Sequence, residues 1–232
     1  MKRFFLLVFL LAVSSIFATT TCISIERLRA KAERGDAEAQ FNIGYSYEKG
    51  YGVMVDDMTK AVFWYRKAAE QGHAEAQCNL GNCYYNGTGV AKNVTQAVFW
   101  YFKSAEQGNA PAQHNLVVCY ELGQGVAKDL TQAAFWYRKA AEQGVDDSQH
   151  NLGVYYENGY GGIAKDLKQA VFWYRKAAEQ GFAPAQFNLG VCYENGNGVQ
   201  KDLTQAAFWY RKAADQGHSK AREALKKLKV SQ

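Results

Sequence analysis

The sequence predicts an all-α protein: a solenoid of about five helix hairpins with a half-repeat at each end. Three observations carry this. A block of 36 or 37 residues returns five times, with glutamines 40, 77, 113, 149 and 186 marking its period. Only 2 prolines occur in 232 residues, against 21 glycines, and those glycines fall at fixed places in the block, as helix stops do. Apolar residues recur at helical spacing inside each block. At 48% hydrophobic and 21% charged, the chain is neither disordered nor a charged tail.

The first 20 residues read as a secretory signal. Lys2 and Arg3 precede an apolar run of ten, Phe4 to Val13, and small residues follow as far as Thr20. Ten helical residues span about 15 Å, half of a hydrocarbon core, so no transmembrane span is expected in the mature chain. The chain is expected to be exported, to the periplasm or the outside of a cell, or to the ER lumen in a eukaryote. Cys22 makes a lipoprotein a weaker alternative, since leucine is absent three residues before it. Without the leader the formal charge of +5 falls to about +3. So mild a balance, with no basic cluster before the tail, argues against a nucleic-acid partner.

Residues 23–232 are expected to form a single solenoid domain, with repeats at 37–73, 74–109, 110–145, 146–182 and 183–218 and a C-terminal cap at 219–230. In the first helix of each, Ala39, Ile43 and Tyr47 and their counterparts make one apolar stripe, and paired glycines such as Gly50 and Gly52 end it. The second helix opens on an aspartate with a glutamine three residues on, as in Asp129 to Gln132, a capping-box-like start. Its inner face carries Ala133, Tyr137 and Ala140. The two longer repeats carry one extra residue each, in Val53-Met-Val-Asp-Asp and Gly161-Gly-Ile-Ala-Lys, both in the same loop. One hairpin cannot bury its own stripe, so neighbours must stack, and the terminal half-repeats must cap the stack.

The pattern Ala-x-x-x-Leu-Gly-x-x-Tyr-x-x-Gly-x-Gly-Val-x-x-Asp, then Ala-x-x-Trp-Tyr-x-x-Ala-Ala-x-x-Gly, resembles the Sel-1-like repeat, a relative of the tetratricopeptide repeat. Val117, in place of glycine, and Gly162, in place of valine, depart from it. The resemblance implies a right-handed superhelix whose concave groove is lined by the first helices, and a role as an adaptor or assembly scaffold. It is also similar to the cysteine-rich Helicobacter proteins, but their clip of cysteines eight residues apart is missing: Ala69 and Gln77 stand there.

No disulfide is expected. Cys83, Cys119 and Cys192 are equivalent, and equivalent residues of stacked hairpins lie about 10 Å apart, beyond disulfide reach. They read as small core residues. Cys78, His114 and His150 share one column with Phe41 and Phe187, directed toward the groove, too splayed to converge on a metal. No metal, cofactor or catalytic residue is expected. Ser46-Tyr-Glu-Lys49 matches Ser-x-x-Lys, but the companion motifs of β-lactam enzymes are missing. The function expected is therefore a secreted or periplasmic adaptor that binds a protein or peptide. The alternative carried is a weak β-lactam-binding or β-lactamase-like enzyme.

Candidate groove residues are Asn42, Tyr45, Asn79, Asn82, Tyr85, His114, Asn115, His150, Asn151 and Asn188. The asparagine ladder is similar to the one with which tetratricopeptide modules hold a peptide backbone, because an amide offers both donor and acceptor. The same amides could instead tie neighbouring first helices together. A second candidate surface is the row Phe63, Phe99, Phe135, Phe172 and Phe208. With a step of about 100° per residue, Trp64, Tyr65 and Ala68 share the inner half of the second helix while Phe63 points outward. These rings are either a contact face or residues crowded over by neighbouring repeats.

Overall fold

The computed structural model describes residues 25–51 and 57–230. The leader, Cys22 and most of the Val53-Met-Val-Asp-Asp insertion lie outside the described residues. Twelve helices and no strand are found among the described residues. They are α1 (25–33), α2 (Ala37–Lys49), α3 (Met58–Glu70), α4 (Ala74–Asn86), α5 (Val94–Glu106) and α6 (Ala110–Leu122). Then come α7 (Leu130–Glu142), α8 (Asp146–Asn158), α9 (Leu167–Glu179), α10 (Ala183–Asn195), α11 (Leu203–Asp215) and α12 (Ser219–Val230). The chain divides into two compact units after Asn109. In each unit the two helices of a repeat pack as a hairpin, and the second helix packs on the first helix of the repeat that follows.

The local signals are realised at the helix ends. Asp57, Asn93, Asp129, Asp166 and Asp202 each cap a second helix by accepting from backbone N–H groups of its first turn. Gly50, Gly87, Gly159 and Gly196 end first helices in the left-handed conformation. The second glycine of the pair has a further cause. A Cβ at Gly161 would lie 2.3 Å from the Leu130 carbonyl oxygen, and one at Gly198 would lie 2.1 Å from that of Leu167. This loop presses on the start of the second helix one repeat earlier, and only a bare backbone fits.

In the first unit the core joins Ala39, Ile43 and Tyr47 of α2 to Ala61, Trp64, Tyr65 and Ala68 of α3 and to Ala76, Leu80 and Cys83 of α4. In the second unit α9 and α10 build one cluster around Tyr174 and Leu189, and α11 and α12 another around Tyr210 and Ala221. The inner face of the second helices is wider than the predicted stripe, since Val62, Ala134 and Val171 are also buried.

The glutamines that mark the period hold the repeats together. Gln149 is buried; its Nε2 donates to the Ala141 carbonyl at 3.0 Å, and its Oε1 accepts from Gln180 at 2.8 Å. Gln77 and Gln186 are bonded in the same way, to Ala69 and Gln107 and to Ala178 and Gln216. Each ties the second helix of one repeat to both helices of the next. Gln149→Leu should fill the same space yet destabilise by about 1–3 kcal/mol, two bonds at about 0.5–1.5 each, with Gln180 left to water. Urea unfolding would measure it, and a midpoint equal to that of the parent chain would refute the tie.

Candidate functional site

The face of each first helix beside its apolar stripe is only partly buried. Asn42, Asn79, Asn115, Asn151 and Asn188 are all half-buried on it. Their amides are engaged within the fold. Asn42 donates to Glu38 and Asn151 to Asp147, each one turn back and at 3.0 Å. Asn79 also reaches the Tyr65 hydroxyl, and Asn188 that of Tyr174. In the second unit Asn188 Nδ2 lies 3.0 Å from His150 Nε2, while His150 Nδ1 lies 3.1 Å from Asn151 Oδ1. Since an amide nitrogen only donates, this chain assigns the imidazole proton to Nδ1. Burial pushes the His150 pKa below its ordinary value, so the neutral ring that this chain needs is the one present.

The column of mixed residues is seated on aromatic rings. Phe41 stacks on His73 with centroids 4.7 Å apart, Phe187 on His218 at 4.7 Å, and His150 leans on Tyr174 and Phe182. Cys78 differs from the reading that directs it into the groove: it is 4% exposed, because a small thiol sinks beneath the surface that its bulkier counterparts reach. His114 Nδ1 lies 3.2 Å from Asp147, linking the third and fourth repeats. Tyr45 is exposed beside Lys49 and Tyr51, Tyr85 lies under Lys92, and Asn82 accepts from the Tyr101 hydroxyl at 2.9 Å.

Helical spacing places Glu48, Glu121, Glu157 and Glu194 on this face as well, although they are not among the candidate groove residues. The hydroxyls of Tyr65, Tyr174 and Tyr210, otherwise buried, donate to Glu48, Glu157 and Glu194 at 2.6, 2.5 and 2.5 Å. In the second repeat Tyr85 stands where the others have glutamate, so the hydroxyl of Tyr101 turns to Asn82. Tyrosine in the second helix with glutamate eleven residues into the first was the signal available.

The thiols of Cys78, Cys83, Cys119 and Cys192 are free and buried. Burial pushes Cys78, Cys83 and Cys119 up to about 11 and Cys192 up to about 12, so they stay protonated at neutral pH. No group of three or more metal-ligating side chains converges among the described residues. Ser46 donates to the Asn42 carbonyl at 2.8 Å, and Lys49 pairs with Glu48 at 2.7 Å, so the two residues of the Ser-x-x-Lys match serve other partners.

Phe63, Phe99, Phe135, Phe172 and Phe208 point outward and are 45–52% exposed. Each ring meets its neighbouring tryptophan edge-on, with centroids 4.9–5.1 Å apart. Each also lies under a lysine one turn on, at 4.7–5.8 Å. These contacts cover about half of each ring, and the rest faces out.

The Sel1 repeat matches residues 37–73, 74–109, 110–145, 146–182 and 183–218, one match for each helix hairpin. The chain belongs to the Sel1 repeat family. Sel1 repeats are typically protein-interaction scaffolds. The crystal structure of a Sel1 repeat protein from Oxalobacter formigenes is similar at 37% identity and a TM-score of 0.73, over 90% of this chain and 86% of that one. A protective antigen of uropathogenic Escherichia coli with the same repeat fold, c5321, is 37% identical with a TM-score of 0.65, over 87% of this chain and 50% of that one. The cysteine-rich protein B of Helicobacter pylori matches at 28% identity and a TM-score of 0.46, over 58% of this chain and 96% of that one. A comparison with curated proteins returned no match. Among the described residues of this Sel1 repeat protein, no helix is long and apolar enough to cross a membrane.

Proposed function

We propose that this Sel1 repeat protein is an exported adaptor that holds an extended segment of a partner protein along its first-helix faces. The observation that carries the reading is the half-buried ladder of Asn42, Asn79, Asn115, Asn151 and Asn188, flanked by His114, His150, Tyr45 and Tyr85. Amides already hydrogen-bonded within the fold are held in place before a partner arrives, so little ordering entropy is lost on binding. Each offers a donor and an acceptor, as an extended backbone requires. Export rests on the leader: Lys2, Arg3 and the apolar run that follows.

The test starts from a partner isolated with the full chain from the native envelope or secretome and mapped to a segment. Asn79→Ala, Asn115→Ala and Asn151→Ala together should weaken that segment on the order of 100-fold, at about 1 kcal/mol for each bond lost, with helicity by circular dichroism unchanged. Equal affinity of the triple variant would move the site off this face. An adaptor of this kind leaves nitrocefin intact; turnover by the purified chain would favour a β-lactam hydrolase instead.

A further inference from the structure

The third and fourth repeats break the regular pattern at two linked positions. In the other repeats a glycine of the first helix makes room for the second-helix tyrosine: a Cβ at Gly44, Gly81, Gly153 or Gly190 would lie 2.6–2.8 Å from that ring. The third repeat has Val117 there, fully buried, so Tyr137 cannot take the same seat. Its ring packs edge-on against Tyr155 instead, with centroids 5.3 Å apart. Tyr155 stands where the second, third and fifth repeats have Cys83, Cys119 and Cys192, and its ring meets the half-exposed Tyr160 at 5.8 Å.

Glu121 lies at the centre of this rearrangement. Tyr155 donates to it at 2.7 Å, while the displaced Tyr137 reaches it only at 3.3 Å. Among the described residues it has no ion pair. An open cavity of about 400 Å³ faces it, walled by Tyr137, Tyr155, Tyr160, Leu130 and Val154, with Lys128 and the groove residue Asn151 also lining it. That volume is at the low end for a ligand site, roughly 300–1,000 Å³; it fits a side chain rather than a helix.

We infer that this cavity takes an arginine side chain of the partner segment, the guanidinium paired to Glu121 and stacked on the exposed ring of Tyr160, beside the buried Tyr137 and Tyr155. The inference rests on the adaptor reading above and names one of its specificity contacts. A carboxylate accepts about four hydrogen bonds, and the two tyrosines occupy two. The two that remain match the paired N–H groups of a guanidinium. Aromatic faces attract the same planar cation. Lys128 is the site's own competing cation, exposed and free to swing on its four-carbon stem.

The probes are Nα-acetyl-arginine methylamide, its neutral citrulline analogue and Nα-acetyl-glutamate methylamide, each titrated into the full chain with tyrosine ring resonances followed by NMR. The arginine probe should shift Tyr137, Tyr155 and Tyr160 saturably, and the citrulline probe should bind about tenfold more weakly or worse. Glu121→Gln keeps the size and one acceptor oxygen, for Tyr155, while its amide N–H can donate to the Tyr137 hydroxyl; it should lose about tenfold, whereas Lys128→Ala should bind equally or more tightly. Tyr160→Ser, at an exposed position, serves as a second weakening variant should Glu121→Gln fail to fold. No shift with arginine, or glutamate binding that Lys128→Ala abolishes, overturns the assignment. A partner segment that needs Asn79 and Asn115, which lie outside the cavity lining, but ignores Glu121→Gln also overturns it and leaves the adaptor reading standing. Arginine bound here, beside a partner that ignores Asn79→Ala and Asn115→Ala, does the reverse.

Discussion

Removal of residues 219–232 should turn the chain into an aggregating protein. Helix α12 lays Ala221 and Leu228, both buried, and the half-buried Ala224 and Leu225 against Ala206, Tyr210, Ala213 and Ala214 of α11. Its outer face carries Lys226 and Lys227 in contact with water, and the exposed Arg222 reaches back to the Ala214 carbonyl at 3.4 Å. A solenoid ends in such a half-apolar, half-charged element because every interior repeat presents a surface that the next must cover. Burying a leucine side chain is worth about 1.5–3 kcal/mol, so two leucines with two alanines place the cap's contribution at several kcal/mol, a large part of a marginal stability. The truncated chain should melt well below the parent and elute as large assemblies in light scattering, more so at higher concentration. A monodisperse product with the parent's melting temperature would show that α12 caps nothing.

The repeat frame was legible because it is written five times: the positions that stacking fixes recur at 36 or 37 residues, whereas surface positions drift. Repeat ends, helix caps and the outward phenylalanines follow from local geometry, which the sequence carries directly. Side-chain partners between helices are less legible. Helical spacing places Leu225 on the inner face of the cap with Ala221, yet Leu228 is the more buried of the two leucines, because the tilt of a terminal helix is set by its one neighbour. The groove asparagines could be named, but not what they bond to, since their partners Glu38, Asp147 and His150 depend on rotamers. The Glu121 cavity is the clearest case. Val117 is visible as a departure and Tyr155 as the counterpart of the cysteines, but that the two act on the same tyrosine is a fact of packing between repeats.

That dependence on one missing methyl group gives the last prediction. Gly190→Val should destabilise the fifth repeat by about 1–3 kcal/mol from overpacking alone. The first added carbon would lie 2.6 Å from Cδ1 and Cε1 of Tyr210, a ring that is 1% exposed and has no open side to move toward. A ring forced out would also lose the hydroxyl bond to Glu194, now at 2.5 Å; a bond to a charged group adds about 1.5–3 kcal/mol. The third repeat shows the alternative that the chain itself uses, valine at this place with the tyrosine turned aside and its bond stretched to 3.3 Å. The cost should therefore be coupled to the ring. Tyr210→Leu alone is destabilising through the lost bond and contacts, but Gly190→Val added to it should cost far less than in the parent, a coupling of 1 kcal/mol or more on the order of that found for residues in contact. Urea unfolding of the two single variants, the double variant and the parent measures it. Additive costs would mean that Tyr210 does not need the glycine, and would remove the packing argument on which the shape of the Glu121 cavity depends.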